Sequence, residues 1–373
     1  MTRARGWCPS LFEPMATGDG LLVRVKPPLG RFSADAARLI GAACAEYGNG
    51  VVELTARGSL QCRGFDEGSA RRFASVIVGA GLASADPAAE RRRTVQAPPW
   101  SESDALAQAI EAALVQAEDL AGLPAKFGVS IDGVPRADIA VGLQAERTVV
   151  VGGSEAVVDD PVGAVLQLAR AFLALGGGRR MAELVARVGE AAIFAQAGLP
   201  TRPARTAAAW PEAIGWVGAA FGVGLPFGAF DAATLAGLAE RHGDGALRLA
   251  PGRCVVIAGA RESLPAAAGR LGLIVASDDP RRLVSACPGQ PACASATVAT
   301  RELAASLRPD RAVHVSGCEK GCAHPGPAAL TLVGRAGRFD AVRDGTAGGA
   351  PVRRGLTAAE ALVFGQGAME QCS

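Results

Sequence analysis

The chain has 373 residues, of which 49% are hydrophobic and 20% are charged, and its net charge is +2. This length predicts about two or three folded units, and the composition can bury a sizeable core, which excludes a disordered protein. The balanced charge and the 5% aromatic content argue against a nucleic-acid-binding protein. Glycines and a proline interrupt the longest uncharged stretch, residues 213–230, so we expect a cytoplasmic protein without a membrane span.

The N-terminal segment predicts one βαββα unit. Ser33 is a typical N-cap residue, and the apolar spacing after it predicts a helix that extends to Tyr47. The order of the elements is that of a split ferredoxin-like unit. The elements are a strand within 20–32, a helix over 33–47, strands over 51–55 and 59–63, and a helix over 67–79.

The central segment alternates predicted strands and helices and ends in a stretch, residues 198–211, that is typical of a linker. Its predicted elements are a helix over 104–121, strands over 127–132, 138–143 and 148–151, and helices over 161–175 and 181–188.

The βαββα pattern then returns, which indicates a duplicated protein with a pseudo-twofold axis. Leu225–Phe230 parallels Pro28–Phe32, and Asp244–Leu249 parallels Asn49–Leu54. A helix over 232–241 and a strand over 254–258 complete the second copy. The last segment predicts a helix over 294–307 and strands over 312–316 and 329–333.

Four of the nine cysteines fall in the pattern Cys287-x5-Cys293 and Cys318-x3-Cys322. In a reducing compartment such a group indicates a metal site before a disulfide. Four thiolates can hold a [4Fe–4S] cluster or a structural zinc ion. The gap of five residues favours the iron–sulfur cluster, because paired zinc ligands usually lie about two to four residues apart. We also expect Cys293 to lie at the start of the 294–307 helix, where the helix dipole favours a thiolate.

This cysteine pattern resembles the cluster motif of the sirohaem sulfite and nitrite reductase superfamily. Three further segments are similar to motifs of that superfamily: Leu54–Gly58 to Leu-Thr-x-Arg-Gln, Arg93–Val95 to Arg-Asn-Val, and Leu123–Phe127 to Leu-Pro-x-Lys-Phe. The chain departs from the family pattern at Gly58, Thr94 and Gly128, which weakens a tight site for an oxyanion.

The resemblance implies an α+β fold in which two ferredoxin-like units and two α/β units are related by pseudo-twofold symmetry. The implied units are a first ferredoxin-like unit over 1–88, a first α/β unit over 89–205, a second ferredoxin-like unit over 206–276, and a second, cluster-bearing α/β unit over 277–373.

Segments 5–10, 17–24 and 321–328 resemble one oxygen-dependent branch of this superfamily, which acts in aerobic cobalamin biosynthesis. The resemblance implies a monooxygenase that hydroxylates precorrin-3A at C20 with γ-lactone formation. It also implies a [4Fe–4S] cluster and a mononuclear non-haem iron in place of sirohaem. No strand–GxGxxG–helix unit is found, so electrons from NADH would arrive through a separate reductase or a ferredoxin-like protein. We expect a monomer.

A tetrapyrrole substrate carries many carboxylates, which Arg and Lys side chains can bind. Within the resemblance, the substrate-binding candidates are Arg24, Arg57, Arg93, Lys126 and Arg253. His324, two residues after a cluster cysteine, is a candidate iron ligand or catalytic residue. His314 lies in an apolar strand and is expected to be a packed core residue, and His242 a surface residue.

Two other functions stay open at this point. The chain could be a sirohaem-dependent sulfite or nitrite reductase, because the scaffold is shared and function depends on the site. It could also be a zinc-stabilised binding protein without catalytic activity, which would need only the four cysteines.

Overall fold

The computed structural model describes residues 9–55, 58–101, 104–132, 137–143, 146–205 and 213–366. The first ferredoxin-like unit follows the predicted order, and Ser33 is the N-cap of its first helix, with its Oγ accepting the Ala36 N–H at 3.1 Å. Its elements are β1 (Met15–Thr17), β2 (Gly20–Val25), β3 (Arg31–Ser33), α1 (Ala34–Tyr47), β4 (Val52–Leu54), β5 (Leu60–Phe65) and α2 (Glu67–Gly79).

The first α/β unit follows, and its sheet has the order β11-β10-β9-β8-β7-β6 with β6, β7 and β8 parallel. The predicted helix 104–121 ends at Gln116 and gives way to a 3₁₀ turn. The elements are α3 (Pro87–Arg92), β6 (Val95–Gln96), α4 (Ala105–Gln116), β7 (Val129–Ile131), β8 (Ile139–Gly142), β9 (Thr148–Val151), β10 (Ser154–Val157), α5 (Pro161–Ala174), α6 (Met181–Val188), α7 (Glu190–Gln196) and β11 (Arg202–Pro203).

The predicted linker contributes an edge strand, because β11 pairs antiparallel with β10; its residues 206–212 lie outside the described part of the chain. The second ferredoxin-like unit then repeats the first. Its elements are β12 (Gly215–Val217), β13 (Ala220–Gly224), β14 (Ala229–Phe230), α8 (Ala232–His242), β15 (Ala246–Ala250), β16 (Cys254–Ile257) and α9 (Leu264–Arg270).

The second α/β unit has the sheet order β17-β18-β19-β20-β21, again with its first three strands parallel. Strands β20 and β21 and the last helix are not among the predicted elements. The elements are β17 (Val284–Ala286), α10 (Thr300–Ser306), β18 (Val313–Ser316), β19 (Ala328–Arg335), β20 (Arg338–Gly345), β21 (Arg353–Leu356) and α11 (Ala358–Gly365).

The two ferredoxin-like units exchange edge strands. Strand β14 of the second unit pairs antiparallel with β4 of the first, and β3 of the first pairs antiparallel with β15 of the second. Helices α1 and α8 pack together, and one hydrophobic core spans both units. This arrangement confirms the predicted α+β fold with a duplicated ferredoxin-like unit. The residue boundaries of the four units remain predictions.

Equivalent turns within the two ferredoxin-like units each contact the α/β unit that follows in the chain. Leu29 and Phe227 are the central residues of these turns, and both have left-handed backbone angles, with φ of 50° and 57°. Leu29 packs against the core of the first α/β unit, and Phe227 packs against the core of the second. The pseudo-twofold symmetry therefore extends to the contacts between units.

The predicted helix over 294–307 is wrong in its first half, because α10 begins only at Thr300. The backbone before it bonds elsewhere: Gln290 N–H donates to Val298 O, and Thr297 N–H donates to Gly317 O. These bonds fold residues 293–299 into a loop around the cysteines, which a regular helix would prevent. Cys293 therefore lies in this loop and not at a helix start. No described helix is long and apolar enough to cross a membrane.

Candidate metal centre and substrate site

Two neighbouring parallel strands deliver the cysteine loops to one edge of the second α/β sheet. Cys287 directly follows β17, and Cys318 follows β18 by two residues. Ala286 is in register with Val315, so the strands end side by side. Because the carboxyl ends of parallel strands share an edge of the sheet, the two loops converge there.

A backbone amide donates a hydrogen bond to the first of the four thiols. Cys287 is 8% exposed, and its Sγ accepts the Gly317 N–H at 3.1 Å. A Cβ at Gly317 would lie 2.6 Å from the Ala296 Cβ, so only glycine lets the two loops approach so closely. A hydrogen bond from an amide favours a charged sulfur, whether thiolate or cluster ligand.

The other three thiols lie within electrostatic reach of one another. Cys293 and Cys318 are partly buried, and Cys322 is exposed at the surface. Partial desolvation raises the pKa of the Cys322 thiol, and Cys318, Cys287 and Cys293 raise it further. Among the described residues, no three His, Cys, Asp or Glu side chains surround a point that one ion could occupy. A [4Fe–4S] cubane takes one thiolate on each of its four irons, so it does not require the four sulfur atoms to surround a single point as a zinc ion does.

The hairpin turn of the first ferredoxin-like unit closes over the Cys293 loop. A Cβ at Gly18 would collide with the backbone nitrogen of Ala294 and lie 3.0 Å from the Cys293 Cα. The equivalent turn of the second unit holds Gly218, where an added Cβ meets nothing within 4 Å. The Cys293 loop thus depends on a close contact with a unit distant in sequence.

Gly18→Ala is therefore expected to lose most of its iron and sulfide, because the collision involves backbone atoms that cannot rotate away. Gly218→Ala is the matched control and should keep its full complement, although its left-handed φ of 59° makes alanine strained there. Iron and acid-labile sulfide analysis after anaerobic purification provides the measurement. Equal loss in both variants would contradict the proposed contact.

A buried network of charges lies beside this loop. Arg63 donates two hydrogen bonds of 2.9 Å to Asp19 and lies 3.7 Å from the Glu53 carboxylate. Glu53 also forms an ion pair with Arg301 of α10. Burial would raise the pKa of Asp19, but hydrogen bonds from Arg63 and Thr17 hold it below its ordinary value. The network links the first unit to the last one.

This network is not among the features predicted from the sequence. Arg63 is 7% exposed and interacts electrostatically with Cys293, and Glu53 is 5% exposed. The one available signal is a charged residue, Glu53, within the apolar run Val51–Leu54. A buried charge requires a partner, but the sequence does not say which one.

His314 and His324 are brought together, with ring centroids 5.8 Å apart. His314 is fully buried, as expected, but neither of its ring nitrogens has a hydrogen-bond partner among the described residues. Burial, reinforced by His324 and Arg253, lowers the pKa of His314 to about 4. The His324 Nε2 lies 3.1 Å from Pro327 O, which makes Nε2 the donor and leaves Nδ1 as acceptor in the neutral ring.

The His314 pKa predicts a loss of stability in acid. The folded state resists protonation while an unfolded histidine titrates near its ordinary value of 6.5, so the free energy of unfolding falls as pH drops from 6.5 towards 4. The total loss through this residue is about 3 kcal/mol. Urea unfolding at several pH values checks this, and His314→Phe should show a shallower slope. Identical slopes would exclude His314 as the group responsible.

The predicted substrate-binding residues have different surroundings. Arg253 lies close to His314 and Arg301, and burial lowers its pKa. Arg24 of β2 donates to Gln61, and Lys126 is half-buried. Arg57 lies outside the described residues.

Arg93 is already paired with carboxylates. It donates to Glu90 at 2.6 Å and to Glu111 at 3.5 Å. It lines a cavity of about 420 Å³ between the first ferredoxin-like unit and the first α/β unit, together with Arg31 and Gln108. The structure therefore groups Arg253 and His324 with His314. It places Arg93 against a cavity whose lining includes none of these three residues.

Comparison with known proteins gives three similarities. The model of the nitrite/sulfite reductase ferredoxin-like half domain matches residues 13–74. A curated protein from Sinorhizobium sp, precorrin-3B synthase, is 34% identical over 394 residues, which cover 93% of this chain and 84% of that protein. The solved structure of Mycobacterium tuberculosis NirA is 20% identical with a TM-score of 0.64, and the match covers 91% of this chain and 78% of that one. This last similarity supports the fold.

Proposed function

Because the chain belongs to the precorrin-3B synthase family, within the fold superfamily of nitrite and sulfite reductases, we propose that it hydroxylates precorrin-3A at C20 and forms the γ-lactone. The observation that carries this proposal is the extent of the similarity to the Sinorhizobium enzyme, which covers 93% of this chain and 84% of that protein. In the reaction, one atom of O2 enters the product, and the other leaves as water after two electrons and two protons are supplied.

Cys287, Cys293, Cys318 and Cys322 are the proposed ligands of a [4Fe–4S] cluster. The amide that donates to the Cys287 Sγ and the glycine-dependent approach of the two loops support this assignment. When bound, the cluster supplies single electrons from an external donor. The chain's own contribution is to hold the four thiolates in place and to keep Cys287 away from solvent.

A mononuclear non-haem iron is less well supported by the side chains present. His314 and His324 are neighbours, but no third ligand joins them among the described residues. A facial triad needs a carboxylate beside two imidazoles. We therefore derive no step through this iron. The role we assign to His324 is proton transfer through Nδ1, because Nε2 is engaged by Pro327 O.

Recognition of the substrate is assigned to cations that bind its carboxylates. Arg253 is the best placed of the candidates, since it is partly buried beside His314, whose ring lies next to that of His324. Arg24, Arg57 and Lys126 remain proposed contacts. Arg93 would have to share its guanidinium with Glu90 and Glu111, so we expect a smaller contribution from it. A cytoplasmic monomer that receives electrons from a reductase or ferredoxin-like partner completes the proposal.

The test is an anaerobic preparation supplied with precorrin-3A, a reductant and ¹⁸O₂. The expected product carries one ¹⁸O atom, and the protein shows broad absorbance of an iron–sulfur cluster without haem bands. Sharp sirohaem bands with sulfite or nitrite reduction would overturn the proposal in favour of a reductase. A colourless protein containing zinc and no iron would favour a non-catalytic binding protein.

A further inference from the structure

Three neighbouring side chains carry N–H groups without an acceptor among the described residues; the His314 side chain is buried, and the Arg253 and Arg301 side chains are partly buried. They are Arg253, Arg301 and His314, which we call the interior donor cluster. Both His314 ring nitrogens and the Arg301 Nε are buried without a hydrogen-bond partner in the part of the chain that the structure describes. Arg253 interacts with Glu53 only at a distance, and its guanidinium forms no hydrogen bond with a described residue. Buried polar groups are almost always paired, so this cluster indicates a missing partner.

The backbone at Arg253 is independent evidence that its side chain is used. Arg253 has a φ of 63°, in the left-handed region that favours glycine. In the first ferredoxin-like unit, the corresponding hairpin turn has Gly58 with a φ of 75°. An arginine at such a position is strained, and strain of this kind persists where the side chain has a function.

The charge around the cluster indicates what the missing partner is. The buried network contains three guanidinium groups, those of Arg63, Arg253 and Arg301, and two carboxylates, those of Asp19 and Glu53. Of the three guanidinium groups, that of Arg253 has no ion pair among the described residues, and it lies beside His314. A cation would be repelled there, whereas a carboxylate could accept hydrogen bonds from several donors at once.

We propose that the interior donor cluster binds one side-chain carboxylate of the tetrapyrrole, with Arg253 and His314 donating to it and Arg301 donating through Nε. The inference rests on the proposed function and adds to it two residues, His314 and Arg301, on the second α/β unit. His314 thereby acts as a positioning residue for the substrate.

The experiment is an anaerobic titration of the cluster-loaded protein with precorrin-3A, followed by absorbance. Arg253→Gly keeps the left-handed backbone and removes the guanidinium, so it should bind about tenfold to a hundredfold more weakly without a lower thermal midpoint. His314→Phe keeps a ring of similar size and should weaken binding about tenfold, while His314→Gln, which retains a donor, should recover part of it. Arg270→Ala, an exposed cation at the end of α9, is the control and should bind as wild type does.

If the wild-type protein binds precorrin-3A and both Arg253→Gly and His314→Phe bind it with the same affinity, the inference is overturned and the proposed function stays intact. Failure of the wild-type protein to bind or convert precorrin-3A would overturn both. A His314→Phe protein that loses about one iron per chain while its affinity for precorrin-3A is unchanged would identify a metal ligand and contradict the carboxylate site. Should His314→Phe fold poorly, the Arg253→Gly affinity decides alone.

Discussion

Cys318→Ser is expected to lose the [4Fe–4S] cluster and, with it, measurable conversion of precorrin-3A. Cys318 follows β18 at the edge of the sheet where the cysteine loops converge, and a serine hydroxyl is a poor ligand for iron in such a cluster. Visible absorbance and the iron and sulfide content per chain measure the loss, and a product assay measures the activity.

Cys44→Ser is the matched control. Cys44 is fully buried in the ferredoxin-like core, where its Sγ donates to Val51 O at 3.4 Å, a bond that a serine can replace. Its iron and sulfide content should equal that of the wild type. A Cys44→Ser protein that loses the cluster, together with a Cys318→Ser protein that keeps it, would show that the ligands are assigned incorrectly.

Glu53→Ala is expected to lower the free energy of unfolding by about 3–5 kcal/mol. Glu53 is buried and pairs with both Arg63 and Arg301, so its removal takes the carboxylate partner from Arg301 and leaves Arg63 with Asp19 alone. Urea unfolding at pH 7 gives the change. This loss of stability should appear although none of the cysteines is substituted.

The exposed ion pair between Arg38 and Glu240 provides the comparison. It joins α1 to α8 across the two ferredoxin-like units, as the Glu53 pairs join the first unit to the last, but both of its side chains are about 40% exposed. Solvent screens such a pair, so Glu240→Ala should hardly change the unfolding midpoint. Similar destabilisation by both variants would mean that burial does not control the contribution of Glu53.

Local patterns were sufficient to predict much of the fold. Ser33 and the apolar spacing after it predict α1, and the recurrence of this pattern predicts the second ferredoxin-like unit. The exchange of β3 and β14 could not be predicted, because strand pairing across distant segments leaves no local period. The helix predicted after Cys293 was wrong in its first half because Thr297 N–H donates to Gly317 O and Val298 O accepts from Gln290 N–H, pairings that helical spacing does not reveal.

One part of the candidate site could likewise be predicted from the sequence, and the other part could not. The four cysteines stand out by spacing alone, whereas the neighbourhood of His314, His324 and Arg253 arises only when two units pack together. His314 was expected to be an ordinary core residue because apolar neighbours flank it in β18. Its sequence position gives its burial correctly but gives no information about the missing hydrogen-bond partners.

The exchanged edge strands have a consequence for how the protein folds. Each ferredoxin-like sheet is completed by a strand from the other copy, so neither half of the chain can reach its final structure alone. The arrangement is the covalent equivalent of a symmetric, domain-swapped homodimer whose subunits have been joined end to end. Two fragments separated between the first α/β unit and the second ferredoxin-like unit should therefore remain aggregation-prone when produced singly and assemble when produced together.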